Sequence, residues 1–378
     1  MRRSVPGARP RGRGIRRIAI NTGGGDAPGL NAVIRAIVLS AADRGIECIG
    51  IRDGYTGLLD PESYPQGGLV PLDRDAVRGI THLGGTILGT TNLGNPLRFP
   101  VVGRGGRVTE VDRTEELVRA FRAAKLDALV AIGGDGSLTI ANVLSECGLR
   151  VVGVPKTIDN DLDGTVLTFG FDTAVAFATE CMDRLHTTAA SHRRVMVVEV
   201  MGRYAGWIAL CTGIASSADV ILIPEIPYDI RSVTRKIQDR ERAGRRFSIV
   251  VVAEGAVPRG GKRSVVEQRP GSLERLGGVG EKVAAQVCEL TGKDTRHVVL
   301  GHLLRGGAPT AADRLICLRF GAAAVRCLAA GKSGVMVALD PPAVRLVPLA
   351  KATRRMKTVP LDCDMILTAR ELGVCLGD

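Results

Sequence analysis

Two apolar runs that each break off into a glycine- and aspartate-rich cluster constrain this 378-residue chain more than anything else in it. Ala128-Leu129-Val130-Ala131-Ile132 leads into GGDGS at 133–137, and Val151-Val152-Gly153-Val154 leads into PKTIDND at 155–161. Unbroken runs of this length and β-branched content suit strands buried on both faces, the mark of a parallel sheet covered by helices. Both clusters then fall at the carboxyl ends of strands, the edge where open α/β sheets bind ligands.

The first cluster has the chemistry of an anion cradle. Gly133, Gly134 and Gly136 carry no side chains, so backbone N–H groups can approach a phosphate, and a helix from about Ser137 to Cys147 would add its positive end. Asp135 would repel that phosphate unless a cation lay between them, which is how Mg²⁺ is commonly held. A plain Gly-Asp turn accounts for GGDGS equally well when it is taken alone. The second cluster is harder to explain as a turn. Thr157, Asp159 and Asp161 alternate, so in an extended or turn conformation they can gather two carboxylates and a hydroxyl around one point. Such a group suits removal of a proton from an alcohol beside a metal-bound phosphate. An Asn-Asp turn would explain Asn160 and Asp161 but not Lys156, Thr157 and Asp159.

A further strand, Ile18 to Thr22, runs into Gly23, Gly24 and Gly25 and then a helix with apolar Val33, Ile34, Ile37 and Val38, a second phosphate cradle with Gly25 as its backbone contact. Strands at 194–200 and 247–253 precede Arg203 and Glu254. Arg296, His302 and Arg305 add cations and an imidazole, groups suited to phosphate forks and hydroxyl hydrogen bonds.

With these blocks in order, the chain resembles the phosphofructokinase family, whose members phosphorylate fructose 6-phosphate at its 1-position. The resemblance covers residues 17–373 and rests on TGGGDAPGLNAVIR (22–35), GGTILGT (84–90), GGDGS, PKTIDND, VEVMGRYAGW (198–207), AEG (253–255) and RHVVLGHLLRGGAPTAADR (296–314). It implies an α/β fold of two Rossmann-like lobes with mostly parallel sheets and the active site in the cleft between them. The expected division is a disordered basic extension at 1–16, a first lobe that handles the phosphoryl donor at 17–165 and 310–378, and a second lobe for the sugar phosphate at 166–309.

By matched position, the resemblance makes Asp159 the base for the sugar hydroxyl, with Thr157 supporting the moving phosphoryl group and Asp161 nearby. It makes Asp135 the Mg²⁺ anchor and Arg203 the cation on the migrating group. Met201, Gly202, Glu254, His302 and Arg305 would line the sugar-phosphate site. Arg194 and Arg296 match arginines that family members lend to a neighbouring subunit, which implies a homodimer or homotetramer with shared sites.

The donor is read from the same resemblance. Glycine at position 136 leaves room for the α-phosphate of ATP, where an aspartate would mark a diphosphate user. Lys156 points toward diphosphate, although some ATP users carry it too. The combination resembles the mixed-substrate branch, and ATP is the favoured donor. Asn92 and Ile140 depart from residues that often meet the nucleotide, and Arg98 is a candidate for the missing cation. Of the family's effector-binding basic residues, Arg35 and Arg245 remain, while Leu39, His186 and Ala243 replace others, so a weak or absent effector response is expected. Two other classes stay open: a silent regulatory subunit that only binds phosphometabolites, and a different GGDG kinase acting on NAD or a lipid head group.

Composition limits the remaining choices. The length suits two lobes, since single cores stop growing near ~250–300 residues. No apolar run approaches the ~18 residues of a membrane helix. Nine cysteines with no CxxC pair argue for reduced thiols in the cytoplasm and against a zinc site. The net charge of +12 owes seven charges to the arginines of the first 17 residues, which hold no acid. The remainder suits a cleft for anionic substrates. Aromatics make up only 3% of the chain, too few for stacking platforms, so a nucleic-acid partner is not expected. The segment 255–280 reads as an irregular loop or hairpin between lobes. The stretch 362–373, with Met365, Ile366, Leu367 and Leu372, reads as a short helix, which the family resemblance implies packs against the first lobe.

Overall fold

The computed structural model describes residues 14–92, 94–102, 108–267 and 274–378. Most of the basic extension lies outside the described residues. Ile15 and Arg16 do not belong to a disordered tail: Ile15 packs against the first core, and the Arg16 N–H donates to Asp127 Oδ2 at 2.8 Å.

The chain opens with strand β1 (Arg17–Thr22), helix α1 (Leu30–Ala42), β2 (Glu47–Ile51), the short α2 (Thr56–Leu59) and β3 (Leu69–Leu72). A ribbon of β4 (Phe99–Val102) and β5 (Val108–Val111) follows, then α3 (Thr114–Ala123), β6 (Ala128–Gly133), α4 (Asp135–Glu146) and β7 (Val151–Pro155). The next stretch is α5 (Phe171–His192), β8 (Val195–Val200), α6 (Trp207–Ala215), β9 (Val220–Leu222), α7 (Ile230–Arg242) and β10 (Ser248–Ala253). A hairpin of β11 (Val265–Glu267) and β12 (Arg275–Leu276) leads to α8 (Val279–Thr291) and β13 (Thr295–Val299). A 3₁₀ turn at Gly301–Arg305 precedes α9 (Ala311–Ala329), β14 (Val335–Asp340), β15 (Ala343–Pro348), α10 (Leu349–Ala352) and α11 (Asp364–Glu371).

Two sheets result. The larger has seven strands in the order β15-β14-β7-β6-β1-β2-β3, parallel except at its two edges. The smaller, β13-β8-β10-β9, is parallel throughout. Every residue of β6, β7, β8 and β10 is buried, as runs without polar alternation require when helices cover both faces. On the large sheet, α1 and α9 close one face around Phe169 and Phe320, while α3, α4 and α10 close the other. On the small sheet, α5 and α6 lie on one side and α7 and α8 on the other. Truncating a fully buried ring such as Phe320 to alanine would cost about 3–5 kcal/mol by the combined loss of transfer energy and the cavity left behind.

The C-terminal helix departs from expectation. It packs against α6 and so joins the second lobe, not the first. Its buried residues are Ile366 and Ala369, one turn apart, with Leu367 and Leu372 exposed, so the inward face is narrower than the apolar content of the segment suggests. The tail then adds to the edge of the small sheet, where Cys375 bridges Val220 in parallel register. The 255–280 segment is also placed differently. It contains the β11–β12 hairpin and connects β10 to α8 within the second lobe.

Candidate active site

The carboxyl ends of β1, β6 and β7 bring three loops together. The Gly23 N–H donates to the Ile132 carbonyl at 3.0 Å, and the Lys156 N–H donates to that of Gly133 at the same distance. Ser137 Oγ lies so close to Gly23 that a β-carbon there would meet it at 2.7 Å. The two expected phosphate cradles therefore abut. A third strip, GGTILGT, is laced to the first: Thr90 Oγ1 donates to the Gly24 carbonyl and Thr22 Oγ1 to that of Gly89, both at 2.6 Å. Asn31, buried on α1, donates to the carbonyls of Leu83 and Gly84 and accepts the Ile87 N–H at 2.9 Å.

Helix α4 begins at Asp135, two residues earlier than the sequence suggests, with Gly134 extended at its N-cap. An acid in the first turn is favoured by the helix dipole, which explains the early start. Asp135 and Gly136 are exposed at the rim, and a β-carbon at Gly136 would meet nothing within 4 Å. Partial desolvation raises the Asp135 carboxyl above its ordinary range, against the pull of the Arg203 guanidinium.

PKTIDND folds as a tight turn with Asn160 in the left-handed region at φ 51°. Thr157 Oγ1 accepts the Asp159 N–H at 3.0 Å, and Thr168 Oγ1 donates to the Thr157 carbonyl at 2.7 Å. Asp159 and Asp161 are both buried, and Oδ1 of each has no hydrogen-bond partner. Burial pushes the Asp159 carboxyl up, while Arg305, Arg203 and Lys156 pull it back. Burial and the neighbouring Asp159 raise Asp161 to about 6. An oxygen so placed normally costs stability, and in an enzyme it is the place to look for a substrate proton.

The surrounding cations come from three elements. Lys156 Nζ donates to the Gly25 carbonyl, and burial, with Arg305 beside it, lowers its pKa to about 8. Arg305, on the 3₁₀ turn, donates through Nη1 to the Asp26 carbonyl at 3.1 Å and lies over Gly25, where a β-carbon would meet it at 2.9 Å. Arg203 follows β8 in the left-handed conformation, behind the half-buried Met201 and the buried Gly202. Its N–H donates to Glu254 Oε1 at 3.0 Å, and burial raises Glu254 to about 7. His302 is exposed on the same turn as Arg305.

Other expected residues stand apart from this cluster. Arg98 is exposed at the foot of the β4–β5 ribbon and takes no part in the hydrogen bonds that join the glycine loops. Asn92 is also exposed, whereas Ile140 is buried in the apolar cluster of α3, α4 and α10, one of the side chains that hold α4 to the sheet. Arg194 and Arg296 share one carboxylate, Asp294, at 3.1 and 2.7 Å, and Arg194 Nε is buried without a partner. Among the described residues, no three His, Cys, Asp or Glu side chains converge as a metal cage. Mg²⁺ seldom uses one, because it takes one or two carboxylates together with substrate phosphates.

Sequence reasoning passed over several supporting residues. Asp313, wholly buried on α9, accepts the N–H groups of Gly170 and Thr173 at 2.9 and 2.8 Å and fixes the start of α5. Glu199, buried in β8, accepts the N–H groups of Gly278 and Gly280 at 3.1 and 2.7 Å and fixes the start of α8. Tyr204 donates to Glu274 at 2.8 Å, and the guanidinium carbons of Arg203 and Arg263 lie 5.4 and 4.8 Å from its ring centre. An acid inside an otherwise apolar strand, as at Glu199, was the available signal.

A buried carboxylate among arginines, beside abutting anion cradles, meets the needs of moving a phosphoryl group onto a hydroxyl, and this fold and cleft define a phosphoryl-transfer enzyme. Comparison with known proteins makes this specific. The family model described as "Phosphofructokinase" matches residues 17–328, and the chain belongs to that family. It is 52% identical over 364 residues to the ATP-dependent 6-phosphofructokinase of Chloroflexus aggregans, covering 96% of this chain and 98% of the relative. It is 48% identical to ATP-dependent 6-phosphofructokinase 1 of Synechocystis sp., covering 96% and 99%. Among solved structures, Pichia pastoris phosphofructokinase superposes with a TM-score of 0.77 at 32% identity; the match takes in 92% of this chain and 36% of that longer one. A pyrophosphate-dependent phosphofructokinase from Nitrosospira multiformis gives a TM-score of 0.78 at 22% identity over 96% and 93% of the two chains, a likeness of fold.

Proposed function

We propose that this protein is a 6-phosphofructokinase that transfers the γ-phosphoryl group of ATP to the 1-hydroxyl of fructose 6-phosphate, giving fructose 1,6-bisphosphate and ADP in glycolysis. The observation that carries this reading is Asp159, a buried carboxylate with a free oxygen amid Arg203, Arg305 and Lys156. The names of relatives at about half identity over nearly the whole chain support ATP as donor. Gly136, with open space where a side chain would stand, agrees with it.

In this reading Asp159 accepts the proton of the 1-hydroxyl as that oxygen bonds to the γ-phosphorus and the bond to the bridging oxygen of ADP breaks. Thr157 and Arg203 face the group in transit, and Arg203 offsets its charge. Glu254, Met201, Gly202, His302 and Arg305 hold the sugar phosphate. Gly25, Gly134, Gly136 and Ser137 cradle the donor phosphates. Asp135 would hold Mg²⁺ together with donor oxygens, and the ion would neutralise charge on the β- and γ-phosphates. Lys156 occupies the Gly25 carbonyl, so it acts chiefly as a prop for the first glycine loop.

Arg194 and Arg296 are read as serving a neighbouring subunit's site, in a homodimer or homotetramer. Asp294 would hold both in readiness for that substrate phosphate. His186, at one of the altered effector positions, already contacts the Ser216 carbonyl at 2.6 Å, in keeping with a weak effector response. We read the protein as cytoplasmic from its likeness to glycolytic enzymes. No helix among the described residues is long and apolar enough to cross a membrane.

The test is purified protein with fructose 6-phosphate, Mg²⁺ and either ATP or diphosphate. Fructose 1,6-bisphosphate should form with ATP, stop on chelation of Mg²⁺, and form much more slowly with diphosphate. No product with ATP would end this reading.

A further inference from the structure

The segment after α10 lies beyond the 17–328 match to the family model, yet it reaches the candidate active site through Lys357. Lys357 Nζ donates to Asn160 Oδ1 at 2.8 Å and to the carbonyls of Thr165 and Val166 at 3.0 Å each. An ammonium has three protons to donate, and here all three are used within the protein. No proton remains for a substrate, so Lys357 acts on the site through the groups it holds.

Those groups are the ones that shape the turn. Asn160 sits between Asp159 and Asp161 in the left-handed conformation, which asparagine adopts more readily than most side chains. Its Oδ1 also accepts the Thr168 N–H at 3.1 Å. The Lys357 N–H donates to the Asp161 carbonyl at 2.8 Å, and Met356 bridges Leu162 in antiparallel register. The two aspartates have little side-chain bonding of their own, each with an unpartnered Oδ1, so their aim depends on the backbone that carries them.

The far side of Lys357 is fastened to the second lobe. Its carbonyl accepts the Trp207 Nε1–H at 3.0 Å, and its ammonium lies 5.7 Å from the Trp207 ring centre. Two residues on, the Val359 N–H donates to Glu225 Oε1 at 2.8 Å, and Glu225 also accepts the Gly206 N–H at the start of α6. The 356–359 segment therefore ties the aspartate turn to the helix that follows Arg203.

We propose that Lys357 is a positioning residue for phosphoryl transfer, holding Asn160 and the Asp161 backbone so that Asp159 and Asp161 face the reacting hydroxyl in fixed register with Arg203. The inference rests on the functional reading above. Its consequence is a loss in the chemical step with little effect on binding, because the lysine's three protons are all donated within the protein.

The experiment begins with wild-type kinetics on fructose 6-phosphate and ATP, since absence of that activity would overturn the functional reading and leave no reaction to position. Lys357→Met should then lower kcat by about 10²-fold, the scale of a misplacement of roughly 1 Å, with both KM values within about threefold. Lys357→Arg, which keeps charge and donors, should recover part of the loss. Because Lys357 acts through Asn160, adding Lys357→Met to Asn160→Ala should change kcat by less than about threefold. If the methionine variant does not unfold cooperatively, Lys357→Ala, which likewise removes every donor, carries the same comparison. A folded Lys357→Met or Lys357→Ala enzyme with kcat within about threefold of wild type overturns the proposal, as does a loss confined to KM or one that multiplies fully with Asn160→Ala.

Discussion

Glu254 and Arg203 are joined by a 3.0 Å hydrogen bond from the arginine's backbone N–H to the glutamate's Oε1, which ties together the ends of the adjacent parallel strands β8 and β10. The contact is tight: a β-carbon at the next residue, Gly255, would collide with the Arg203 carbonyl at 1.9 Å. Glu254 thus fixes the left-handed Arg203 while remaining buried.

That burial gives a pH prediction. The Glu254 carboxyl rises from 4.5 to about 7 in the folded state. A carboxylic acid with a raised folded pKa favours the folded state below its unfolded pKa, and this advantage is lost as pH climbs through the folded value. Wild type should therefore lose stability between about pH 4.5 and 7 on this account. Glu254→Gln, still able to accept the Arg203 N–H, should be more stable than wild type at pH 8 by at most roughly 3 kcal/mol, with the difference gone near pH 4. Denaturant unfolding at both values checks it, and equal differences at the two pH values would refute it.

Asp159→Asn keeps the shape and removes the proton acceptor. A fall in kcat of roughly 10²–10⁴-fold with little change in the fructose 6-phosphate KM is expected. Activity within about threefold of wild type would remove Asp159 from the role of base.

Gly136→Asp should fold, since nothing lies within 4 Å of where its β-carbon would stand. Its carboxylate would crowd the α-phosphate and set like charges together, at a cost of several kcal/mol where solvation is poor. A steep rise in the ATP KM is expected, with any slow turnover of diphosphate less affected. An unchanged ATP KM would show that position 136 does not face the nucleotide.

Hybrids of Asp159→Asn and Arg296→Ala chains should be more active than either parent, because one site in such a mixture can draw its base and its borrowed arginine from intact copies. The measurement is activity after the two variants are unfolded and refolded together. Hybrids that form without any gain would assign Arg296 to its own chain's chemistry or to none.

The strands were legible because double-sided burial leaves an unmistakable apolar run, and β6, β7, β8 and β10 fall within a residue of where those runs place them. The glycine and aspartate clusters were legible as anion and proton chemistry for a related reason: that chemistry needs particular residue types at short spacing. Contacts across distant segments were not. Lys357 reads as one more surface lysine until folding brings it to Asn160, 197 positions away. The helix at the C-terminal end was recognised, but its partner was not, since Ile366 and Ala369 would suit any apolar face. The start of α4 was missed because an aspartate after glycine reads as turn when the helix dipole is left out of account.

The third passage of the chain between lobes has a consequence for synthesis. The polypeptide runs from the large sheet to the small one after β7, returns at α9, and leaves again after α10 to finish on α6. N-terminal parts of a chain fold first as it is made. The aspartate turn therefore exists long before the lysine that braces it, and a nascent chain that has folded both sheets still lacks the brace. Residues made after position 350 supply that brace, so on this proposal phosphoryl transfer at full rate needs the segment beyond position 350 as well as both sheets.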